Sequence, residues 1–492
     1  MSIIGAGTAS RVRVRSVLPH LPFSGVLAVA VWIRVVAVLG YPAPLWFGDS
    51  PGYLEAAVRL RPDETRPSGY PILLWLIKPF HSFTVMVSVQ HVIGILTGVL
   101  VYVLVWRAGR VLRPWIAGVV AALLTVPVLI PVHQVALEHM LMSDSLFAFL
   151  LLAAVAAVLW RRRTTWWLAA LAGVFAAAAA LTRTAGLPLI ALILVAMLIR
   201  KAGWRACAAT AVAFVLPVVG YMFWFHAEYG EYKFAKADQV FLYGRTAAFA
   251  DCRVIKPRPE LAVMCPRQSD PRISKSFSVM WTPDSPFRDI PGWVYGDQGN
   301  RLAGEFAWAA IKAQPVDYGQ VVVEDTLKAF TWHRQPYPTP WTWLQYDFPQ
   351  GEAWSDKQAK AARQYGDDGE TRVVRPWAGQ VLAYQDHVVM PGTILGVLLL
   401  GGLAGAFVHV RPGHWLRRPV RHWATGALLP WGTSLALLVI PAATADFDYR
   451  YVLPAVPFAC VALGLALIPP PRPPEEAPKA QDEPAPREEV SA

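Results

Sequence analysis

A few ionisable residues stand at the ends of apolar runs, and their types define the chemistry open to this chain. Asp49 follows a Trp-Phe-Gly turn in the stretch YPAPLWFGDSPGYLEAAVRLRPDETRPSGYPILLWLIKPF. A carboxylate fixed by a short loop can take a proton from an attacking hydroxyl, and an arginine a few turns away can hold a phosphate leaving group. Glu138, His139 and Asp144 lie in EHMLMSDSLFAFLL, Arg183 in ALTRTAGLPLIALILVAML, and Asp446, Asp448 and Arg450 in DFDYRYVLPAVPF. Ionisable groups at such depths are costly unless they serve a role. With charges of both signs, they point to a cavity that binds an anionic, partly apolar molecule. Plainer readings stand beside this one: Asp49 caps a helix beginning near Pro51, Asp144 is favoured by a helix dipole, and Arg183 and Arg450 make structural ion pairs or anchor to headgroups. Asp448 is read as structural.

The elements that must position these residues are membrane helices. Hydrophobic residues make up 55% of the 492, which is unusual for a soluble chain of this length. A hydrocarbon core about 30 Å thick needs roughly 20 apolar residues per helical span. Ten spans are expected, near 21–40, 83–106, 115–131, 143–160, 166–182, 185–200, 206–225, 388–408, 424–441 and 451–469. Lysine and arginine are retained on the cytoplasmic side. Arg11, Arg13 and Arg15 precede the first span; Arg107, Arg110 and Arg113 follow the second; Arg161, Arg162 and Arg163 the fourth; Arg200, Lys201 and Arg205 the sixth; Arg411, Arg417, Arg418 and Arg421 the eighth. All five clusters fall on one side if both chain ends are cytoplasmic. The net charge of +11 is therefore topological, and no basic stripe with interleaved aromatics remains for nucleic acid. The first span is long and lacks a small-residue cleavage site, so it is expected to be retained.

The expected fold class is an all-α polytopic membrane protein of about ten transmembrane helices with a mixed extracytoplasmic insert domain. Residues 1–20 form a cytoplasmic segment, 21–225 a transmembrane core with a first outer loop at 41–81, 226–387 the insert, and 388–469 the remaining helices. The tail 470–492 has the proline and glutamate content of a disordered cytoplasmic segment. Pro51–Leu60 reads as a short amphipathic helix on the bilayer surface, and Leu302–Ala313 and Gln320–Phe330 read as insert helices. Cys252 and Cys265 lie close together in the insert. Outside the cytoplasm they suit a disulfide better than a metal pair, since no CxxC, HExxH or clustered histidine completes a zinc site. Trp and Tyr near Trp281–Trp293 and Trp332–Trp343 suit an interface anchor, with stacking on sugar rings as the other reading.

In order along the chain stand the loop Asp, the segment RPSGYP, the acidic opening of the fourth span, LTRTAGLPL and DFDYRYVLPAVPF. This order resembles the C-type, polyprenyl-phosphate-dependent membrane glycosyltransferases, the superfamily of protein O-mannosyltransferases and lipid A aminoarabinose transferases. The resemblance covers about 20–225 and 440–465. The insert, with YGRTAAFADCRVIKPRPELAVMCP, is similar to actinobacterial members. It implies that Asp49 is the catalytic loop carboxylate, that Arg66, Arg183 and Arg450 hold the lipid phosphate, and that Asp144 is the acidic residue of the fourth span. Protein O-mannosyltransferases carry Asp-Glu in the first loop where this chain has Asp49-Ser50, which counts against a protein acceptor and makes Glu138 the candidate second acid.

The implied reaction is an inverting transfer of a sugar from a polyprenyl-phosphate donor to an acceptor hydroxyl on the extracytoplasmic face of the plasma membrane. Tyr53, Tyr70 and Asp446 are candidate substrate contacts. The expected partners are the lipid-linked donor, an acceptor that is a lipid, glycan or protein, and membrane lipids, with no nucleic acid. No cofactor is required; a divalent metal on Asp446 and Asp448 is the less favoured reading. The rival readings are a transporter or flippase of a lipid-linked sugar, which would usually show repeated halves, and a non-catalytic scaffold.

Overall fold

The computed structural model describes residues 17–110, 113–267, 269–351, 354–368, 370–407 and 417–468. The expected cytoplasmic clusters at Arg11, Arg13, Arg15 and Arg411, and the tail 470–492, lie outside these residues. The chain is an all-α polytopic membrane protein, with no strand among the described residues. In chain order its principal helices are α1 (Leu21–Gly40), α2 (Ser50–Arg59), α3 (Gly69–Ile77), α4 (Phe83–Gly109), α5 (Pro114–Leu129), α6 (Val132–His139), α7 (Asp144–Leu159), α8 (Trp166–Thr182), α9 (Leu189–Ile199), α10 (Trp204–Tyr229), α11 (Asp238–Thr246), α12 (Asp297–Ala313), α13 (Pro315–Lys328), α14 (Trp377–His387), α15 (Gly392–Ala404), α16 (Leu428–Thr444) and α17 (Val456–Ala466).

Each expected span is helical, but their lengths differ in a way hydropathy does not reveal. Four are long and apolar enough to cross a membrane: Leu18–Gly40, α4, α10 and Tyr449–Ala466. Three more are bent pairs, giving up to seven. α5 turns into α6 by 56° at Pro131, and α14 into α15 by 58° where Pro391 precedes the second helix. Proline removes a ladder hydrogen bond and clashes with the preceding turn, so both breaks have a local cause. Val420–Gly426 meets α16 at 65°. The other three expected spans are shorter apolar helices, α7, α8 and Thr184–Ile199. At 1.5 Å per residue a 16-residue helix such as α7 covers about 24 Å, less than the hydrocarbon thickness.

The insert is helical where a mixed domain is expected, and it divides between two cores. Val240, Tyr243, Phe287, Leu302 and Phe306 form a core of its own, centred on α11 and α12. The later stretch, with Tyr346, Phe348, Tyr365 and Val381, packs into the same core as the membrane helices. α14, at the end of this stretch, is the first half of a bent apolar pair with α15. Cys252 and Cys265 are joined as a disulfide beside the insert's own core. α2 departs from expectation as well: Ser50, Tyr53, Leu54, Ala56 and Ala57 are buried, and the helix Asp356–Tyr365 packs on it, so it is not a free surface helix.

Candidate active site

The loop that carries Asp49 is fixed by main-chain bonds to the segment before α7. Leu45 N–H donates to the His139 carbonyl at 3.1 Å, and Leu141 N–H donates to the Leu45 carbonyl at 3.0 Å, making an isolated parallel bridge. Ser50, fully buried, accepts from Phe47 N–H at 2.8 Å and donates to the Leu141 carbonyl at 3.0 Å. The residue that departs from the Asp-Glu pattern is therefore a strut for its neighbour. Asp49 occupies the N-cap position of α2, yet its side chain makes no capping bond. Both carboxylate oxygens go elsewhere: Oδ1 to Arg66 Nη2 at 2.5 Å and Oδ2 to Arg450 Nη1 at 2.7 Å.

Local structure aims each arginine. Asp63 accepts from Thr65 N–H at 2.7 Å, Thr65 Oγ1 at 2.5 Å and Arg66 N–H at 3.0 Å, a side-chain-closed turn that sets the Arg66 backbone. The Arg66 guanidinium carbon lies 5.5 Å from the centre of the Tyr53 ring. Arg450 sits in the 3-10 turn Tyr449–Tyr451, whose N-cap is Asp448, and its Nε lies 3.2 Å from Asp448 Oδ2. Arg183 ends α8 in an extended conformation and pairs with the fully buried Asp144 at the start of α7. Asp144 Oδ2 has no hydrogen-bond partner. The Tyr451 ring lies 5.0 Å from Arg183 and 5.2 Å from Arg450, joining the two ion pairs across one aromatic face.

Gly69 allows α3 to reach α8. A Cβ there would stand 2.7 Å from the Leu181 carbonyl carbon and oxygen and 2.8 Å from Thr182 N, all backbone atoms that cannot swing aside. Gly69→Ala is expected to cost about 1–3 kcal/mol of stability through overpacking and to move the Arg66 segment away from Arg183. Thermal unfolding checks the first effect and donor affinity the second; an unchanged melting temperature would contradict it.

Electrostatics keep Asp49 ionised. Burial alone would raise its pKa, but the charges of Arg66 and Arg450, with a smaller contribution from Arg183, hold it down to about 2. A depressed carboxylate pKa stabilises the fold above the unfolded value near 3.9, and that stability is lost as pH falls through the folded value. The melting-temperature gap between wild type and Asp49→Asn is thus expected to be constant from about pH 8 to about pH 5 and to close below about pH 4. A gap that narrowed above pH 6 would contradict this sign.

Asp49, Arg66, Asp144, Arg183, Arg450 and Tyr53 are thus brought together; Tyr53 OH meets Ser143 Oγ at 3.0 Å. Tyr70 adjoins them, its ring 5.0 Å from that of Tyr53, while Glu138 and Asp446 lie apart. Glu138 is buried within the helices, with Arg34 on both oxygens at 2.7 and 2.6 Å and His91 Nδ1 on Oε2 at 2.9 Å. Its carboxylate is engaged by these partners. Tyr70 is fully buried and donates to Gln90 Oε1 at 2.6 Å, while Gln90 holds the Glu138 and Met140 carbonyls at 2.8 and 2.9 Å. This is a brace. Asp446 accepts from Ser274 at 2.6 Å and Tyr337 at 2.5 Å and ties the insert to the loop before α17.

Asp448 accepts from Tyr346 and stands beside Arg450, while Asp446 accepts from Ser274 and Tyr337. Among the described residues no three His, Cys, Asp or Glu side chains gather as a ligand set. Sequence reasoning missed Tyr346 and Tyr451, while Asp448, read as structural, caps the 3-10 turn and stands beside Arg450. Tyr451 had a signal, the aromatic directly after Arg450; Tyr346 had none, coming from a turn of the insert far along the chain.

No family model matches the sequence, and no curated protein does. Two solved structures are similar. ArnT from Cupriavidus metallidurans bound to undecaprenyl phosphate shares 15% identity at a TM-score of 0.31, over 90% of this chain and 74% of that one. The Archaeoglobus fulgidus oligosaccharyltransferase, tethered with an acceptor peptide, shares 14% identity at a TM-score of 0.36, over 90% of this chain and 49% of that one. This chain thus spans about half the length of the second.

Proposed function

We propose that the chain is a membrane glycosyltransferase that moves a sugar from a polyprenyl-phosphate donor to an acceptor hydroxyl, with its site on the extracytoplasmic face. The observation that carries this reading is the Asp49 carboxylate gripped by Arg66 and Arg450 beside the Arg183–Asp144 pair. Three arginines at the ends of apolar helices suit a phosphate headgroup whose tail stays in lipid.

The reaction in this reading is an inverting displacement. The acceptor oxygen attacks the anomeric carbon, its proton passes to a carboxylate, and the bond from that carbon to the donor phosphate oxygen breaks. The bonding pair leaves on the phosphate, where Arg66, Arg183 and Arg450 offset the added charge. Asp49 is a feeble base while two guanidiniums hold it. An arriving phosphate competes for those guanidiniums, and as they turn to it the carboxylate is released and becomes more basic. Donor binding thus precedes proton transfer, and Asp144 Oδ2, which lacks a partner, is placed to orient the acceptor.

Ten spans with both ends cytoplasmic would put the Asp49 face outside. Mass spectrometry of cells lacking the chain tests the function: one envelope glycan is expected to disappear while its polyprenyl-phosphate sugar accumulates. An unchanged glycan profile and lipid pool would contradict it.

A further inference from the structure

Beside the Asp49 centre, polar groups on three neighbouring side chains lack partners. Arg334 Nη1, the Tyr449 hydroxyl and His133 Nδ1 are buried without a hydrogen bond. His133 and Tyr449 are each 5% exposed, and their rings stand 5.5 Å apart at 76°. The Arg334 guanidinium carbon lies 4.1 Å from the Tyr449 ring centre and 4.0 Å from that of Trp343. Aromatic faces therefore cover the guanidinium plane and leave its N–H edge to act. Buried donors are nearly always satisfied in folded proteins, so an absence of partners at three neighbouring atoms calls for a group that the chain itself does not supply.

The charge pattern says what kind of group. Arg66 and Arg450 already hold Asp49, and Arg183 holds Asp144, so an anion arriving at any of them must displace a carboxylate. Arg334 is paired with no carboxylate among the described residues; Asp347 and Asp448 are near enough to be felt but do not bond it. Burial lowers its pKa, which these neighbours only partly offset, so its charge is under-compensated. A guanidinium edge, a phenol and an imidazole in its Nδ1–H tautomer are three donors on neighbouring side chains. That set suits an oxyanion with several oxygens better than a planar carboxylate, which the guanidinium fork would satisfy alone. The place lies one residue from the Asp49 centre: Tyr346 donates to Asp448 and accepts from Arg450 N–H at 3.2 Å, and Arg450 holds Asp49.

We propose that Arg334, Tyr449 and His133 form a second oxyanion subsite, one that takes a phosphate group beside the Asp49 centre without displacing a carboxylate. The proposal goes beyond the transferase reading and is tested by binding, not turnover. The full-length protein in nanodiscs is titrated with inorganic phosphate in one arm and with undecaprenyl monophosphate in the other. Arg334→Gln is expected to weaken one probe at least tenfold, and Tyr449→Phe, which removes one oxygen only, to weaken the same probe by roughly threefold to tenfold. Loss confined to inorganic phosphate assigns the subsite to a soluble or acceptor phosphate; loss of the lipid probe assigns it to the donor headgroup. Either result supports the site. Wild-type affinity for both probes in Arg334→Gln and in Tyr449→Phe, or failure of wild type to bind either probe, overturns it. Asp49→Asn, which tests the transferase reading, is expected to keep phosphate binding, so the two ideas fail separately.

Discussion

Replacing Asp49 by Asn is expected to lower sugar transfer by about 10³-fold while leaving the donor bound at least as tightly as in wild type. A positioned base contributes typically 10²–10⁴-fold, and an amide cannot take the acceptor's proton. The gain in donor affinity has a separate cause. In the resting protein Arg66 and Arg450 are both held by Asp49, at 2.5 and 2.7 Å. A neutral amide competes far less with an incoming phosphate, so both guanidiniums become available at lower cost. Complementation of cells lacking the chain measures transfer, and titration of the purified variant with undecaprenyl phosphate measures binding. A flippase or scaffold would be nearly indifferent to this substitution, and wild-type transfer by Asp49→Asn would remove Asp49 from the mechanism.

The second large effect is on stability. Glu138→Ala is expected to cost about 3–5 kcal/mol, because it leaves the Arg34 guanidinium charged among apolar helices. Arg34 is 3% exposed, and beyond Glu138 it reaches only the Ala30 and Leu129 carbonyls, at 3.0 and 2.9 Å. Gly94 shows how closely α4 is fitted to this pair, since a Cβ there would stand 2.0 Å from Glu138 Oε1. Replacing both Arg34 and Glu138 by Leu is expected to recover part of the loss, since no charge is stranded although His91 loses its acceptor. Thermal unfolding of the single and double variants in nanodiscs checks this. Equal losses in the two would show that Glu138 contributes something other than neutralising Arg34.

Both predictions show what could be read from the chain and what could not. Asp49, Arg183 and Arg450 stand out because an ionisable residue at the end of an apolar run has few reasons to be there, and Arg66 because of its place before the RPSGYP proline. Glu138 stands out equally, yet hydropathy does not tell a charge facing a cavity from one neutralised inside the helices. Its partner Arg34 lies in the first span, and only the fold shows that α1 and α6 meet at this pair. Asp446 and Asp448 are two residues apart and chemically identical. A 3-10 turn sends one back to Arg450 and leaves the other facing Ser274 and Tyr337. Tyr346 and Arg334 come from an irregular part of the insert, where no periodicity marks a direction. The helices themselves were legible because their runs are long; the bends at Pro131 and Pro391 had visible causes, but whether a proline ends a span or bends it depends on what packs beyond.

The most direct measurement is donor turnover by the purified protein. The chain is reconstituted in nanodiscs, supplied with a panel of undecaprenyl-phosphate sugars and an envelope extract as acceptor, and the lipid products are analysed by mass spectrometry. One sugar is expected to leave its lipid, with sugar-free undecaprenyl monophosphate appearing in equal amount, and Asp49→Asn is expected to abolish that conversion while still binding the donor. Conversion that proceeds equally in Asp49→Asn, or a panel left wholly unconverted by a wild-type protein that complements deletion cells, would contradict the account.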